Sequence, residues 1–322
     1  MQTLVIVNQV AAKARRAAPA VREKLSAAQI DFEIYETTCV ADATDRTRSA
    51  LLSGVTTIAV VGGDGTLSEA AQGFFEFAPD PETLPAPINP RAALAILPAG
   101  TGDDFARGLM GTRASLDRWI EILIKHCRDE QQTTKSCDVI YGRCDNYDTP
   151  FICINASTMG IGGETAARVA SQSRLVRRCS GEVRFALAAV RSLMAWRERR
   201  VRITTDNQSY EGNMNLAAVA NGLYAGGGMM LSPAARVDDG KLDVVTASGL
   251  SRVSILRELS RIHEGGHVAN PNVRIIQGLN ARIETFKTED AMLIEADGNV
   301  RGVTPVSFRV MPAALKFVWK TD

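Results

Sequence analysis

Histidine is scarce in this chain of 322 residues, with three in all, and aromatic side chains make up only 6% of it. No apolar run approaches the length of a membrane-spanning helix. The short run Leu4–Val7 has no basic lead, so no secretory signal is expected. The six cysteines lack paired spacing, which suits reduced thiols and a cytoplasmic setting. A net charge of +1 excludes a global polyanion-binding role, and the sparse aromatics argue against nucleic acid. Neither Gly-x-x-x-x-Gly-Lys-Ser/Thr nor Gly-x-Gly-x-x-Gly occurs, so the P-loop and the dinucleotide fingerprint are missing. Internal repeats and low-complexity tracts are lacking as well.

What is present is an apolar run, Thr57 to Val61, that ends in Gly62-Gly63-Asp64-Gly65-Thr66-Leu67-Ser68 and continues into a helical pattern. A strand that turns sharply into a helix leaves free backbone N–H groups at the positive end of the helix dipole, which suits phosphate. Glycine lets the main chain approach a bulky anion. A carboxylate there makes sense if Asp64 handles a metal ion or a proton, and the combination suggests phosphoryl transfer. Asp64 as a plain helix cap is the alternative. A turn carboxylate of this kind is expected to contribute little to the core. A second turn, Gly100-Thr101-Gly102-Asp103-Asp104, follows another apolar strand and repeats the logic. Side by side in a parallel sheet, the two could hold successive phosphates of one nucleotide.

Apolar periodicity predicts strands at Thr3–Val7, Phe32–Tyr35, Thr57–Val61 and Ala92–Leu97, alternating with helices at Ala18–Ala28, Ala41–Leu52, Leu67–Phe77 and Ala114–His126. The expectation is an α/β N-terminal domain over residues 1–130, a parallel sheet with helices on both faces and ligands at the C-terminal strand ends. Residues 79–91 hold five of the twelve prolines and read as a loop without a strand. Short β-type runs then predict a mainly antiparallel β domain over 131–304, with helical insertions at Gly181–Arg200 and Ser251–Glu264. The tail, about 305–322, is expected to pack back on the first domain. The nucleotide site is expected in the interdomain cleft.

These blocks resemble the diacylglycerol kinase catalytic-domain superfamily, and within it the bacterial soluble lipid kinases of the YegS and DgkB type. The resemblance rests on Gly62-Gly63-Asp64-Gly65-Thr66 and on Gly100-Thr101-Gly102-Asp103-Asp104-Phe105-Ala106-Arg107. It continues in Asn155 to Gly160, Asn221 to Met229, Asp238 to Val244 and Glu295-Ala296-Asp297-Gly298. It implies ATP- and Mg-dependent phosphorylation of a lipid hydroxyl, with diacylglycerol or a related lipid alcohol as acceptor. By position, ATP would touch Asn8, Thr37, Gly62 through Ser68 (Gly62, Gly63, Asp64, Gly65, Thr66, Leu67, Ser68) and Thr101. Asp64 and Asp297 become the candidates for base and for metal or hydroxyl positioning. A structural Mg2+ site would map to the Asp239 carboxylate with backbone oxygens of Arg236 and Lys241. A homodimer is one assembly to expect. The rival readings are an NAD kinase, against which stands the lack of an Asn-Glu dipeptide, and a non-catalytic relative that binds lipid or nucleotide.

Three departures from the pattern stand out. The first loop keeps only Asn8 of the usual Asn-Pro start, Asp103 replaces an asparagine, and Asn299 replaces the glutamate expected two residues after Asp297. Between Arg168 and Arg202 there are ten arginines against Glu182 and Glu198. This amphipathic, Arg-rich stretch is either a helix packed on the β domain or a peripheral contact with the inner membrane face. His263-Glu264-Gly265-Gly266-His267 matches a zinc-protease pattern, but two glycines inside it favour a helix end.

Overall fold

Short runs of β-branched residues and leucine, apolar on both faces, form strands that parallel sheets bury completely. The computed structural model describes residues 2–80, 82–128, 133–147, 149–172, 181–206 and 208–319. The chain divides into two compact units, one reaching Val139 and resuming at Pro312, the other Ile140–Met311.

In the first unit β1 (Thr3–Asn8), α1 (Ala12–Ala27), β2 (Phe32–Thr37), α2 (Asp42–Leu52), β3 (Thr57–Gly62) and α3 (Asp64–Gln72) alternate. A short hairpin of β4 (Phe75–Glu76) and β5 (Ala86–Pro87) precedes β6 (Ala93–Pro98), α4 (Asp104–Met110) and α5 (Leu116–Cys127). The strands pair in parallel in the order β6-β3-β1-β2. Asn8 is in register with Thr37, and Gly62 with Pro98, so the C-terminal strand ends line up along one edge. Helix α1 packs on β1, β3 and α5, while α2 packs on α3.

Two elements differ from the periodic reading. Helix α1 begins at Ala12 and carries Pro19 inside it. The Asn8 carboxamide oxygen accepts the N–H groups of Val10 (2.9 Å) and Ala11 (3.2 Å) and turns the chain into the helix early. Burial of Ala14, Val21 and Leu25 on one face outweighs the one backbone bond that proline forfeits. The proline-rich loop, in turn, contains β5, which pairs with β4 ahead of the loop, with proline at the edge where no N–H is needed.

The second unit follows β7 (Thr134–Cys144), a strand that starts in the first. It holds β8 (Phe151–Cys153), β9 (Ala156–Gly160), α6 (Ile161–Ala170), α7 (Gly181–Ala195), β10 (Arg199–Thr205), β11 (Gln208–Ala220) and β12 (Leu242–Ser248). Then come α8 (Arg252–Arg261), β13 (Val273–Gly278), β14 (Asn280–Thr285), β15 (Leu293–Ala296), β16 (Asn299–Val303) and β17 (Val306–Val318). Pairing here is antiparallel. The long β11 pairs with β10 through its first half and with β9 and β12 through its second, its register shifting at Met214/Leu216. Met159, Val201, Met214, Val219, Val244, Ile283, Ile294 and Phe308 make the core that this bend encloses.

Strand β17 is continuous where the sequence pattern suggests two strands. Its last residues pair in parallel with β6 in the first unit. The break in the pattern is Pro312-Ala313, where Ala313 adopts φ +51° and donates its N–H to the buried Asp138 carboxylate at 2.8 Å. The paired carboxylate offsets the strain of a left-handed alanine and lets the strand run on.

Candidate active site

The first unit collects most of the nucleotide candidates along the C-terminal sheet edge. Asn8, at the end of β1, donates from its amide to Thr66 Oγ1 at 2.7 Å, so the first loop is tied to the glycine turn. Thr37, at the end of β2, is buried and donates to the Val7 carbonyl at 3.4 Å. Leu67 and Ser68 are buried within α3. Thr101 lies exposed in the second turn.

The two glycine turns touch back to back. A Cβ on Gly63 would stand 3.1 Å from Gly100 Cα, and one on Gly100 would stand 2.6 Å from Gly63 Cα. Only two bare main chains fit at that separation. A recess lined by Gly62, Gly63, Asp64, Leu67, Asp103 and Ala106 opens there. Two cations hold the second turn from outside. Lys13 Nζ donates to the Gly100 carbonyl at 3.0 Å, and the Arg113 guanidinium donates to the Thr101 and Gly102 carbonyls at 2.5 and 3.0 Å. Sequence reasoning assigned neither residue a role, because they are contributed by α1 and by the loop after α4, far from the turn in sequence.

Asp64 overturns the expectation that a turn carboxylate contributes little to the core. Its two carboxylate oxygens accept the N–H groups of Asp104 (3.0 Å) and Phe105 (3.1 Å), the first residues of α4. Asp103, the N-cap residue of that helix, makes no side-chain cap of its own. Asp64 therefore caps a helix other than its own and supports the fold, contrary to a merely decorative turn carboxylate. Burial pushes its pKa up, opposed by those same N–H groups and by Arg107.

Asp103 sits at φ +51°, a conformation that Asn and Asp tolerate best, and accepts the Gly100 N–H at 2.8 Å. Its pKa is raised to about 6, by burial first and then by the Asp64 charge. A raised carboxyl pKa means that the ionised form costs the folded state stability above about pH 6, and that the cost fades as pH falls towards the ordinary carboxylate value. Asp103→Asn keeps the acceptor oxygen and removes the charge. It is expected to stabilise the protein by about 1 kcal/mol at pH 8, partial exposure reducing the full effect. Thermal unfolding at pH 8 and pH 5 checks this, the gain being largest at the higher pH.

In the second unit Asp297 occupies the β15–β16 turn at φ +49°. Its carboxylate accepts the N–H groups of Ile154 (2.8 Å), Asn155 (3.0 Å) and Ala156 (3.1 Å), and the Cys153 thiol at 3.3 Å. Four donors occupy a buried carboxylate, and they fasten the turn to the start of β9. Burial raises its pKa against the pull of these N–H groups. Two residues earlier, the Glu295 carboxylate accepts from Thr158 Oγ1 at 2.6 Å and from the Gly298 N–H. Its pKa is raised to about 7, chiefly by burial, with Thr158 and Gly298 pulling down and the Asp297 charge pushing up. Sequence reasoning quoted Glu295 within the family block and gave it no role. Its only signal was a carboxylate on the same turn as the departure at Asn299.

Among the described residues no cluster of three or more His, Cys, Asp or Glu side chains is arranged to hold a metal. The loop from Arg236 to Lys241 carries two carboxylates: Asp238 pairs with Arg236 at 3.4 Å, and Asp239 Oδ1 accepts the Lys241 N–H at 3.1 Å across Gly240 at φ +71°. The second Asp239 oxygen and the backbone carbonyls of Arg236 and Lys241 are all oxygen donors, the chemistry that a hard cation such as Mg2+ takes. The zinc pattern dissolves. Gly265 at φ +73° separates two 3-10 segments, and His263 and His267 meet the carbonyls of Gly228 and Leu231, each at 3.1 Å.

Residues 2–136 match the diacylglycerol kinase catalytic domain, and residues 158–319 match the YegS C-terminal NAD kinase beta sandwich-like domain. The chain belongs to the diacylglycerol kinase-like lipid kinase family. It is 25% identical over 269 residues to the "Probable lipid kinase YegS-like" of Shewanella frigidimarina, covering 84% of this chain and 78% of that one. It is 23% identical over 288 residues to the diacylglycerol kinase of Bacillus subtilis, covering 89% and 86%. A crystal structure of a diacylglycerol kinase from Bacillus anthracis shares the fold, with a TM-score of 0.67 at 22% identity over 99% of this chain and 97% of that one. The family is one of phosphotransferases, so the glycine turns belong to an enzyme. No helix among the described residues is long and apolar enough to cross a membrane.

Proposed function

We propose that this enzyme transfers the γ-phosphoryl group of ATP, with Mg2+, to the hydroxyl of a lipid alcohol such as diacylglycerol. The observation that carries the reading is the back-to-back contact of Gly63 and Gly100. It sets two strand-to-helix turns side by side, with the Lys13 and Arg113 cations at the second. Backbone N–H groups and cations suit successive phosphates. Mg2+ accompanying the nucleotide would neutralise phosphate charge as it shifts to the leaving group.

In this reaction the lipid oxygen forms a bond to the γ-phosphorus, the bond to the bridging oxygen of ADP breaks, and the alcohol proton passes to a base. Asp64 positions the nucleotide turn and the start of α4. Asp297 is proposed as a positioning residue, since its oxygens are already engaged by four donors. Glu295, a half-buried residue that accepts two hydrogen bonds against the four on Asp297 and has a pKa of about 7, is then the proposed proton acceptor. It stands on the turn where relatives of the pattern carry a glutamate at the place of Asn299.

The test is transfer of labelled γ-phosphate from ATP to diacylglycerol in detergent, with NAD offered in parallel. Labelled phospholipid, formed only with Mg2+, is the expected product. Labelled NADP without phospholipid would make the protein a nucleotide kinase, and binding of ATP without transfer would make it a non-catalytic relative.

The second cation is probed separately. Mg2+ is expected to raise the melting temperature of the wild-type protein, because a ligand that binds only the folded state stabilises it. Asp239→Ala should abolish that increment and lower activity as well. An equal increment in both proteins would place the cation elsewhere.

A further inference from the structure

Helix α7 is apolar on two opposite faces, although a surface helix normally buries one. One face is accounted for: Ala188, Ser192 and Leu193 are buried, and Leu193 joins a cluster with Leu250 and Ile255. The other carries Val183, Leu187, Val190 and Met194, which are 48, 45, 54 and 70% exposed. At about 100° per residue this spacing confines all four to an arc of roughly 60°. Arg184 and Arg191 run along one flank of that arc.

Helix α8 extends the patch. The Arg252 guanidinium donates to the carbonyls of Leu193 (3.2 Å) and Met194 (3.1 Å), fixing the start of α8 at the end of α7. The next apolar side chains, Val253 and Leu256, are 71 and 52% exposed. Arg257 lies beside them, exposed, and neither it nor Arg191 pairs with an acid among the described residues. Among the described residues Glu258 pairs with Arg261, and Asp290 with Arg197. Arg174, Arg177 and Arg178 of the Arg-rich stretch lie outside the described residues.

We propose that this two-helix patch docks on an anionic lipid bilayer. Its apolar side chains enter the boundary between headgroups and acyl chains, and its arginines face the headgroup phosphates. Charge selects the bilayer over a second copy of the chain, which would oppose arginine with arginine. The docking is a property of the surface and does not depend on which alcohol the enzyme phosphorylates.

The experiment is vesicle co-sedimentation of the full chain, using phosphatidylcholine alone and an equal mixture with phosphatidylglycerol, neither containing diacylglycerol. The wild type is expected to bind the mixed vesicles preferentially and to be released by salt. Arg191→Glu should weaken binding at least about fivefold, and the double variant Leu187→Glu with Met194→Glu at least about tenfold. Transfer to a detergent-dispersed lipid should stay at the wild-type rate in both. Unchanged vesicle binding in the variants overturns the proposal. So does an equal loss on detergent-dispersed substrate, which would assign the stripe to the substrate pocket. A dimer in sedimentation that the double variant dissociates, without any vesicle binding by the wild type, would give the patch to a second copy.

Discussion

Asp64→Ala is expected to lose both turnover and stability, whereas Asp64→Asn should lose mainly turnover. The alanine leaves the N–H groups of Asp104 and Phe105 without their acceptor, and loss of a helix cap costs about 1 to 2 kcal/mol. Asparagine keeps one acceptor oxygen, so its unfolding midpoint should lie between the alanine variant and the wild type. Both variants should turn over at least about 100-fold more slowly, the scale of misplacing a phosphate-binding turn by about 1 Å. Thermal unfolding and transfer kinetics on the same preparations separate the two effects. Near-normal turnover in Asp64→Asn would reduce the residue to a cap.

The second large effect is expected at Glu295. A base acts only when deprotonated, so kcat should rise with pH through about 7 and level off above it. Glu295→Gln should lower kcat by roughly 10²- to 10⁴-fold and flatten that rise, with little change in KM for ATP. A residue that merely supports the turn would reduce activity equally at all pH values. Stability should move the other way: the raised pKa means the ionised form costs the fold above about pH 7, so the glutamine variant should lose no stability there. Asn299 supplies a further check. Adding glutamate at that position in the wild type would place a third carboxylate beside Glu295 and Asp297, where repulsion limits any gain. Combined with Glu295→Gln, the same Asn299→Glu change should recover much of the lost rate. Failure of both the pH effect and the recovery would return the base to Asp297.

The legible part of the chain was its local pattern. Apolar runs bounded by glycine located β3 and β6, and the alternation with helices located the parallel sheet. What the sequence hid depends on distance along the chain. Nothing near Asp64 announces that it closes the start of a helix forty residues away, because a cap is normally read within one turn of its own helix. Lys13 and Arg113 look like ordinary surface cations until the fold brings them to the second glycine turn. In the second unit Asp297 stood out through the family pattern, but its saturation by Ile154, Asn155, Ala156 and Cys153 is a tertiary fact. Helix α7 was read as either packed or membrane-facing. The structure shows one apolar face packed and a second apolar face exposed, which periodicity alone could not separate.

The contact between Gly63 and Gly100 means that the two loops move as one part. A methyl group added to Gly63 would meet Gly100 Cα at 3.1 Å, and one added to Gly100 would meet Gly63 Cα at 2.6 Å and Asp103 Oδ1 at 2.5 Å, so either change displaces the neighbouring loop. On the proposed reading, neither loop's grip on the nucleotide can then be retuned alone. Variants selected for a different phosphate donor should carry changes in both loops, or else leave these loops intact and alter the cations that brace them.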